Sequence, residues 1–435
     1  MNTYLTSFDG TEAFDAECVR PDRYRHLFSE LSSRGPVIPR GAGLSYCAAS
    51  AGSGVRSVDA RHFNRILDFD PSGIVTVEAG ISLGDLYRFS VPRGWILSVM
   101  PGSPSITVGG CIAANIHGKN QFKDGNFRAV VDELRLFHPD HGELSCSDRA
   151  EQDLFNLTVG GFGLTGFITS ARLKLQRLTG SAFRLRRLRV DSLEEAAVLM
   201  KGLADEVQVL YSWHDLNGHG FGRGFVYAGN QVDSPVNDSL QYEELVSETR
   251  GKWKLPLFNK LTTRLSLAAY ALSQRWSSRE QIVGLPQAMF PPVGKEFYFK
   301  LFGRRGLREY QVLTPNDCWP EAVKSLKALI SKHRIPITLA SLKIFRGRSH
   351  MLNFDGDGVC LTLDAPESDA TRRFFADLDL WTESASGIVN IAKDSRLEAA
   401  FVRRVFPEYE RFRTELAAFD PKHRFDSALR RRLNV

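Results

Sequence analysis

The sequence predicts a two-domain α+β protein: a glycine-rich domain that cradles a large ligand, and a second domain built on an antiparallel sheet. Two observations predict it. Three glycine-dense segments crowd into the first half of the chain, at residues 39–46, 101–120 and 158–168. From about residue 180 strands and helices alternate without glycine clusters, as in a sheet covered on one face by helices. At 435 residues the chain is too long for one compact core.

Composition narrows the class. Hydrophobic residues make up 43% and charged residues 24%, the balance of an ordinary soluble protein. No stretch approaches ~18 uninterrupted apolar residues, so no membrane-spanning helix is expected. The opening MNTYLTSFDGTEAFDAECVR lacks a basic start followed by an apolar run, so no secretory signal is expected. Cys18, Cys47, Cys111, Cys146, Cys318 and Cys360 are scattered without a CxxC pair. That argues against a zinc site or a disulfide framework and fits a reducing cytoplasm. A net charge of +6 and a pI of 9.0 favour anionic partners. Without zinc-finger spacing, an aromatic RNA-binding signature or a long Lys/Arg run, nucleic acid is not expected.

The elements follow in order. Residues 1–35 are expected to be mostly helical, with PDRYRHLFSELSSRG an amphipathic helix ending at Gly35. VIPRGAGLSY runs from a short strand into a glycine turn, and GIVTVEAG alternates as a strand does. SLGDLYRFSVPRG opens on a Ser cap and reads as a short helix. VDELRLFHPDHGELSCS holds two strands around a polar turn at Pro139–Gly142. TVGGFGLTGFITSARLKLQRL passes from glycine turn to strand. Beyond 180, DSLEEAAVLMKGLADEV and NDCWPEAVKSLKALISKH read as capped helices, and residues 366–385 as a third. Strands are expected at VQVLYSWHDL, GRGFVYAG, ITLASLKIF and GVCLTLDAP. The tail from about 388 is short, charged and Arg-rich.

Residues 251–280 stand apart. Phe258, Leu261, Leu265, Ala268, Leu272 and Trp276 recur at helical spacing. Lys252, Lys254, Lys260, Arg264 and Arg275 surround them, and no acid appears before Glu280. Such a helix can lie in a membrane interface. It can equally pack its apolar stripe on the second domain and leave a solvated basic face.

The glycine segments carry the chemistry. In Arg40-Gly41-Ala42-Gly43-Leu44-Ser45-Tyr46 the glycines let successive main-chain N–H groups converge, a concavity that binds pyrophosphate. The segment is not a GxGxxG fingerprint, because position 46 is Tyr. The second segment places small residues at 109, 110, 113 and 114, which suits close backbone approach to a flat ring system. His117 and Lys119 follow at once. The third, Thr158–Ile168, is again dense in glycine. Three such segments together point to one large-cofactor site.

PRGAGLSY, PGSPSITVGG, NIHGKN, TVGGFGLTG and the late AKDSR, in this order, resemble the vanillyl-alcohol-oxidase/p-cresol-methylhydroxylase superfamily of FAD oxidoreductases. Within it they resemble the oxidase subunits of decaprenylphosphoryl-ribose 2′-epimerases. The likeness covers most of 30–178 and 388–435 and is looser between. It implies a p-cresol-methylhydroxylase-type FAD-binding domain over 1–178, a substrate domain over 179–387, and a return of 388–435 to the first. It implies that Arg40 through Tyr46 meet the FAD pyrophosphate and its neighbours. Gly102, Thr107, Val108, Gly109 and Gly110 would line flavin and phosphates, together with Ala114, Asn115, Ile116 and His117. Phe167 and Ile168 would meet the adenine end, and Asn390 would close the site. Many superfamily members tether the flavin to a His where this chain has Leu44, so a non-covalent FAD is expected.

The resemblance also assigns substrate residues. Lys393 matches an active-site lysine; by composition alone it reads as a surface lysine paired with Asp394. His117 is a candidate for proton handling or, equally, a buried ring held by hydrogen bonds. Lys119 would bind a substrate phosphate or hydroxyl, or sit solvated in a loop. Tyr46, Trp213, Gln311, Lys343 and Cys360 match the substrate pocket, Trp213 and Cys360 in strands where a core role is common. The chain departs from the pattern at Glu309, in place of a glutamine, and at Gly358, in place of an asparagine. The implied reaction is oxidation of a sugar secondary hydroxyl, foremost the 2′-hydroxyl of a polyprenyl-phosphoryl pentose for glycan or cell-wall arabinose. A separate NAD(P)H-dependent reductase would then complete an epimerisation. The alternatives are a soluble aldonolactone or alditol oxidase and a non-catalytic flavin-binding scaffold. A cytoplasmic protein is expected, peripheral on the inner membrane if residues 251–280 lie in its interface.

Overall fold

The computed structural model describes residues 2–217, 220–235, 240–242 and 255–435. The chain opens on a hairpin, not a helix. Asn2–Thr6 pairs antiparallel with Ala13–Val19, and only Tyr24–Leu31 is helical before residue 35. Phe14, Ala16 and Cys18 step by two toward Leu5 and Ala51. That period, interrupted by acids, is what a helical reading of the segment overlooks. Val37–Arg40 and Arg56–Asp59 then join the hairpin as parallel strands.

A five-stranded antiparallel sheet follows. Phe167–Lys174 lies at its centre, between Ile74–Glu78 and Val131–His138. The Val131–His138 and Gly142–Cys146 strands meet at the expected polar turn. Leu83–Ser90 is helical, and Ser82 Oγ caps it by accepting from Asp85 N. Because the central strand directly follows the third glycine segment, the sheet brings residues 158–166 beside the first two.

The second half carries two four-stranded antiparallel sheets. One contains Ala182–Val190, Val209–Asp215 and Arg223–Val232; the other contains Leu307–Thr314, Leu339–Phe345 and Gly358–Pro366. The sheets meet where Ser212 Oγ accepts from Leu342 N at 2.9 Å. Each strand has two characters. Tyr310, Val312, Ala340, Leu342, Leu361 and Leu363 are buried under the helices Leu193–Leu203, Trp319–His333 and Asp369–Ser384. The alternate residues face the other way, toward a cavity. The helix Trp319–His333 starts without a side-chain cap, Pro320 fixing its first turn.

The tail is more than a charged extension. Its helices Ala399–Val405, Tyr409–Phe419 and Ala428–Leu433 bury Phe401, Val402, Phe412, Leu416 and Leu429. Asp426 N donates to Val37 O at 3.0 Å and Ala428 N to Ala51 O at 2.9 Å, so the chain ends against its own beginning. No helix among the described residues is long and apolar enough to cross a membrane. The helix Lys260–Trp276 inverts the packed arrangement: Thr263 and Leu267 turn inward, while Leu261, Leu265, Ala268, Leu272 and Trp276 face solvent. Lys252 and Lys254 lie outside the described residues, as does the Arg275 side chain.

Asp420 holds the tail together. Its carboxylate is fully buried and accepts from Arg424 N at 2.8 Å and Phe425 N at 3.0 Å, with Arg430 Nη1 3.3 Å away. Burial alone would push its pKa up; the His138 ring and the two main-chain donors outweigh that and hold it at about 2. The stabilisation is therefore complete above the unfolded value of about 4 and is lost as pH falls toward 2. Asp420→Asn is expected to cost roughly 2–4 kcal/mol in urea unfolding at pH 7. It should also flatten the stability change between about pH 4 and pH 2.

Candidate functional site

One cavity of about 1140 Å³ lies between the glycine segments and the inner face of the second-half sheets. Its glycine wall is made by main-chain contact. Gly109 N donates to Ala79 O at 2.7 Å. Thr107 Oγ1 caps the helix Val108–Ala113 by accepting from Gly110 N at 3.2 Å. A Cβ on Gly41 would lie 2.2 Å from that same Oγ1, so only glycine fits there. The third segment is stitched to this helix by Gly160 N to Ile112 O at 3.0 Å and Phe162 N to Ala113 O at 2.8 Å. Gly43 turns the first segment at φ +70°.

Arg40 through Tyr46, Gly102, Thr107, Gly109 and Gly110 all line this cavity, as do Ala114 through His117, Phe167, Ile168 and Asn390. Val108 does not. Its side chain is fully buried in the core beside Ile81 and Ile112, and its N–H donates to Ile81 O at 2.9 Å. As the first residue of the capped helix it points away from the wall its neighbours form.

The opposite wall is polar. Glu309 and Gln311 reach the cavity from one strand, Ser341 and Lys343 from the next, and Thr362 and Asp364 from the third. Lys393 arrives from the 3-10 turn Ile391–Lys393, which hangs on the sheet through Asn390 N to Gln311 O at 2.9 Å. Its Nζ sits 3.3 Å from Glu309 Oε1 and 4.2 Å from the centre of the Tyr46 ring. Tyr46 is fixed to the same turn by its N–H donating to Ala392 O at 3.1 Å. The lysine is therefore aimed from the tail into the place where glycine wall and sheet wall meet.

His117 is held on both ring nitrogens. Nδ1 lies 3.2 Å from Gly118 O and 3.5 Å from Lys343 Nζ, and Nε2 lies 3.3 Å from Gln311 Oε1. Desolvation, reinforced by the Lys343 ammonium, pushes its pKa well below the ordinary 6.5 and keeps the ring neutral. Lys119 Nζ donates to Met289 O at 2.6 Å; desolvation and Lys343 push its pKa down to about 7. Lys343 is itself lowered, chiefly by desolvation. Two depressed lysines thus sit beside a neutral imidazole.

Cys360 is absent from the cavity wall. It is fully buried in an apolar cluster with Leu313, Phe345 and Phe354, on the strand that pairs Lys343. Gly358 lies further along that strand, where a Cβ would come 2.2 Å from Thr314 O. Thr362 and Asp364, two and four steps from Cys360, are among the cavity residues that the sequence reading missed. Two polar side chains two residues apart in GVCLTLDAP were the available signal. Asp364 is the unusual one. Tyr298 Oη donates to its Oδ2 at 3.0 Å, and Oδ1 has no hydrogen-bond partner among the described residues. Desolvation, then the Glu309 charge, raise its pKa well above the ordinary carboxylate value. Trp213 lines the cavity between Phe225 and Tyr270. No group of His, Cys, Asp and Glu among the described residues is arranged to hold a metal ion.

The FAD binding domain family matches residues 29–147, which span the first two glycine segments. The chain is 28% identical to the decaprenylphosphoryl-β-D-ribose oxidase of Mycolicibacterium smegmatis over 429 residues, 94% of this chain and 91% of that one. It is 31% identical to a glycolate oxidase subunit of Bacillus subtilis over 150 residues, 33% and 32% of the two chains. L-gulonolactone oxidase of Mus musculus is 34% identical over 112 residues, 26% of this chain and 25% of the other.

The cofactor is FAD, and the residues present fit it. Gly41, Gly43, Gly109, Gly110, Gly163 and Gly166 bring main chain from all three segments to the cavity, and a Cβ at Gly41 would strike the Thr107 hydroxyl. Gly41→Ala is expected to displace Thr107 from its cap and weaken FAD binding by about tenfold or more, equivalent to about 1.4 kcal/mol. The check is the flavin-to-protein absorbance ratio after gel filtration, with far-UV circular dichroism unchanged.

Proposed function

With the chain an FAD-dependent oxidoreductase whose FAD-binding domain is of the p-cresol-methylhydroxylase type, we propose that it oxidises a sugar secondary hydroxyl to a ketone. The substrate that fits best is a polyprenyl-phosphoryl pentose oxidised at its 2′-hydroxyl. The observation that carries this reading is the placing of Lys393 and Glu309, in contact, beside the depressed lysines Lys119 and Lys343 in one cavity. A reacting hydroxyl and a neighbouring phosphate need those two kinds of group side by side. The long-range likeness to a decaprenylphosphoryl-ribose oxidase supports the same substrate class.

Bound FAD supplies the hydride acceptor for the carbinol carbon. The protein must hold that carbon and take the hydroxyl proton. Lys393 hydrogen-bonds the hydroxyl oxygen. Glu309, 3.3 Å from its ammonium, accepts the proton directly or through the lysine. His117, neutral and tied to Gln311 and Lys343, orients both rather than acting as a charged acid. Lys119 and Lys343 hold the phosphate. Among the described residues His117 is the only histidine on the cavity wall, and it is already held on both nitrogens; with Leu44 in the first glycine loop, this supports a non-covalent FAD. A separate NAD(P)H-dependent reductase would return the ketone to the epimeric alcohol, in a route to glycan arabinose.

The decisive experiment is anaerobic flavin bleaching against free sugars, aldonolactones, alditols, sugar phosphates and polyprenyl-phosphoryl pentoses. Rapid bleaching by the phosphoryl pentoses alone is expected. Equal bleaching by free alditols or aldonolactones would replace the reading with a soluble oxidase, and no bleaching by any of them with a flavin scaffold. Lys393→Met and Glu309→Gln should each lower the rate of bleaching about 10²–10⁴-fold while FAD stays bound.

Lys119 gives a pH signature. It carries charge below about pH 7 and loses it above. Because kcat/KM reports the free enzyme, its value for a phosphate-bearing substrate should fall as pH rises through about 7. Lys119→Met should lower kcat/KM at pH 6 and remove that limb.

A further inference from the structure

The helix Lys260–Trp276 is inside out. Its inner side makes polar contacts: Tyr270 Oη is 2.8 Å from Tyr227 Oη, and Gln274 Oε1 accepts from Arg187 at 3.0 Å and from Tyr227 Oη at 3.1 Å. Leu267 seats an aliphatic side chain against Trp213 and Phe225, with Ala271 packed at the edge of the same cluster. Its outer side carries Leu261, Leu265, Leu272 and Trp276, exposed by 67, 61, 53 and 85%. Leu255, Leu257 and Phe297 extend the set of exposed apolar residues in adjoining segments at 55, 47 and 60%. A water-facing helix has the opposite arrangement, and apolar sets of this size mark a surface that something covers.

Charge says what covers it. From Leu255 to Lys300 the sequence holds six Lys and Arg against two acids, Glu280 and Glu296, while Arg304 and Arg305 line a separate pocket with Glu367 and Asp369. The Leu255–Lys300 segment therefore carries a net charge of +4. A second copy of the protein, meeting the same face across a two-fold axis, would bring those cations together. An anionic lipid surface would neutralise them.

The geometry points to this helix, with Leu255, Leu257 and Phe297, as an interfacial anchor that lies in the headgroup–acyl boundary of an anionic leaflet. It rests on the lipid-substrate reading above, because the anchor borders the cavity. Leu267, Tyr270 and Gln274 of the helix line that cavity, and so do Lys295 and the exposed Phe297. A lipid-borne sugar would thus pass from leaflet to Lys393 along an apolar-edged path without crossing bulk water.

The test uses the FAD-loaded full chain and two vesicles, phosphatidylcholine alone and an equal mixture with phosphatidylglycerol. Co-sedimentation at least tenfold stronger on the anionic vesicles, and weakened by 0.5 M salt, is expected. Leu265→Glu/Leu272→Glu should lose that binding tenfold or more. Both residues are exposed and outside the cavity wall, so turnover of a phosphoryl pentose with a short, water-soluble chain should be unchanged. Sedimentation no better on anionic vesicles than on neutral ones overturns the anchor. So does a dimer in solution that the double variant splits while neither form binds vesicles. Vesicle binding without turnover of any phosphoryl pentose would instead strike the substrate reading and leave the anchor standing.

Discussion

The contact on which the rest of the structure depends is the approach of the main chain at Gly41 to Thr107. No Cβ fits between Gly41 and the Thr107 hydroxyl, and that hydroxyl is already committed to capping the helix Val108–Ala113. The helix start is fixed in turn by Gly109 N on Ala79 O. These contacts bring the parallel-stranded sheet, the five-stranded sheet and the third glycine segment to one wall. Where glycines stand, at Gly41, Gly43, Gly109 and Gly110, the wall's surface is main chain. That is what a cofactor with a flat ring and two phosphates requires, and side chains of ordinary bulk could not supply it.

The second wall arises from a different constraint. The helices Leu193–Leu203, Trp319–His333 and Asp369–Ser384 take the apolar face of the second-half sheets. The period of two then leaves the remaining face free to be polar. Glu309, Gln311, Lys343, Thr362 and Asp364 are spaced along three neighbouring strands for this reason. Their packing raises the electrostatic stakes. Burial desolvates them, so Lys119, Lys343 and His117 are pushed toward neutrality, and the pKa of Asp364 is raised beside Glu309. The tail adds Lys393 only because Ile388–Val389 pairs with Leu307–Thr314 and the last helices lock onto Val37 and Ala51.

Much of this was legible in the sequence where the signal was local. Glycine clusters, the Ser82 cap, the Val131–Cys146 hairpin and the existence of the helices Leu193–Leu203, Trp319–His333 and Asp369–Ser384 each depend on residues near one another, and each reads correctly. The opening hairpin was missed because its short alternation, Phe14, Ala16, Cys18, is interrupted by acids. Ala182–Val190 and Leu307–Thr314 were missed because basic and polar residues fill positions whose burial is decided elsewhere in the chain. Leu307–Thr314 is buried along its whole length, yet it carries Arg308, Glu309 and Gln311, each satisfied by a partner distant in sequence. Val108 and Cys360 show the limit of matching residue by residue. Both sit in the right segment, but one residue of helix rotation and the far end of a strand put their side chains in the core.

The basic helix shows how a correct pattern can be read in the wrong direction. Its leucine repeat predicts a helix, and a helix forms. The usual inference from such a repeat is that the apolar stripe faces the protein. Here the inner positions include Tyr270 and Gln274, whose polar atoms find partners on the sheet and which line the cavity. Polar residues hold the helix in place, so its apolar residues are left over. Periodicity alone gives the angle between two faces of a helix and cannot say which is inside. That is decided by the partner surface, and Tyr227 and Arg187 on the sheet had already made it polar.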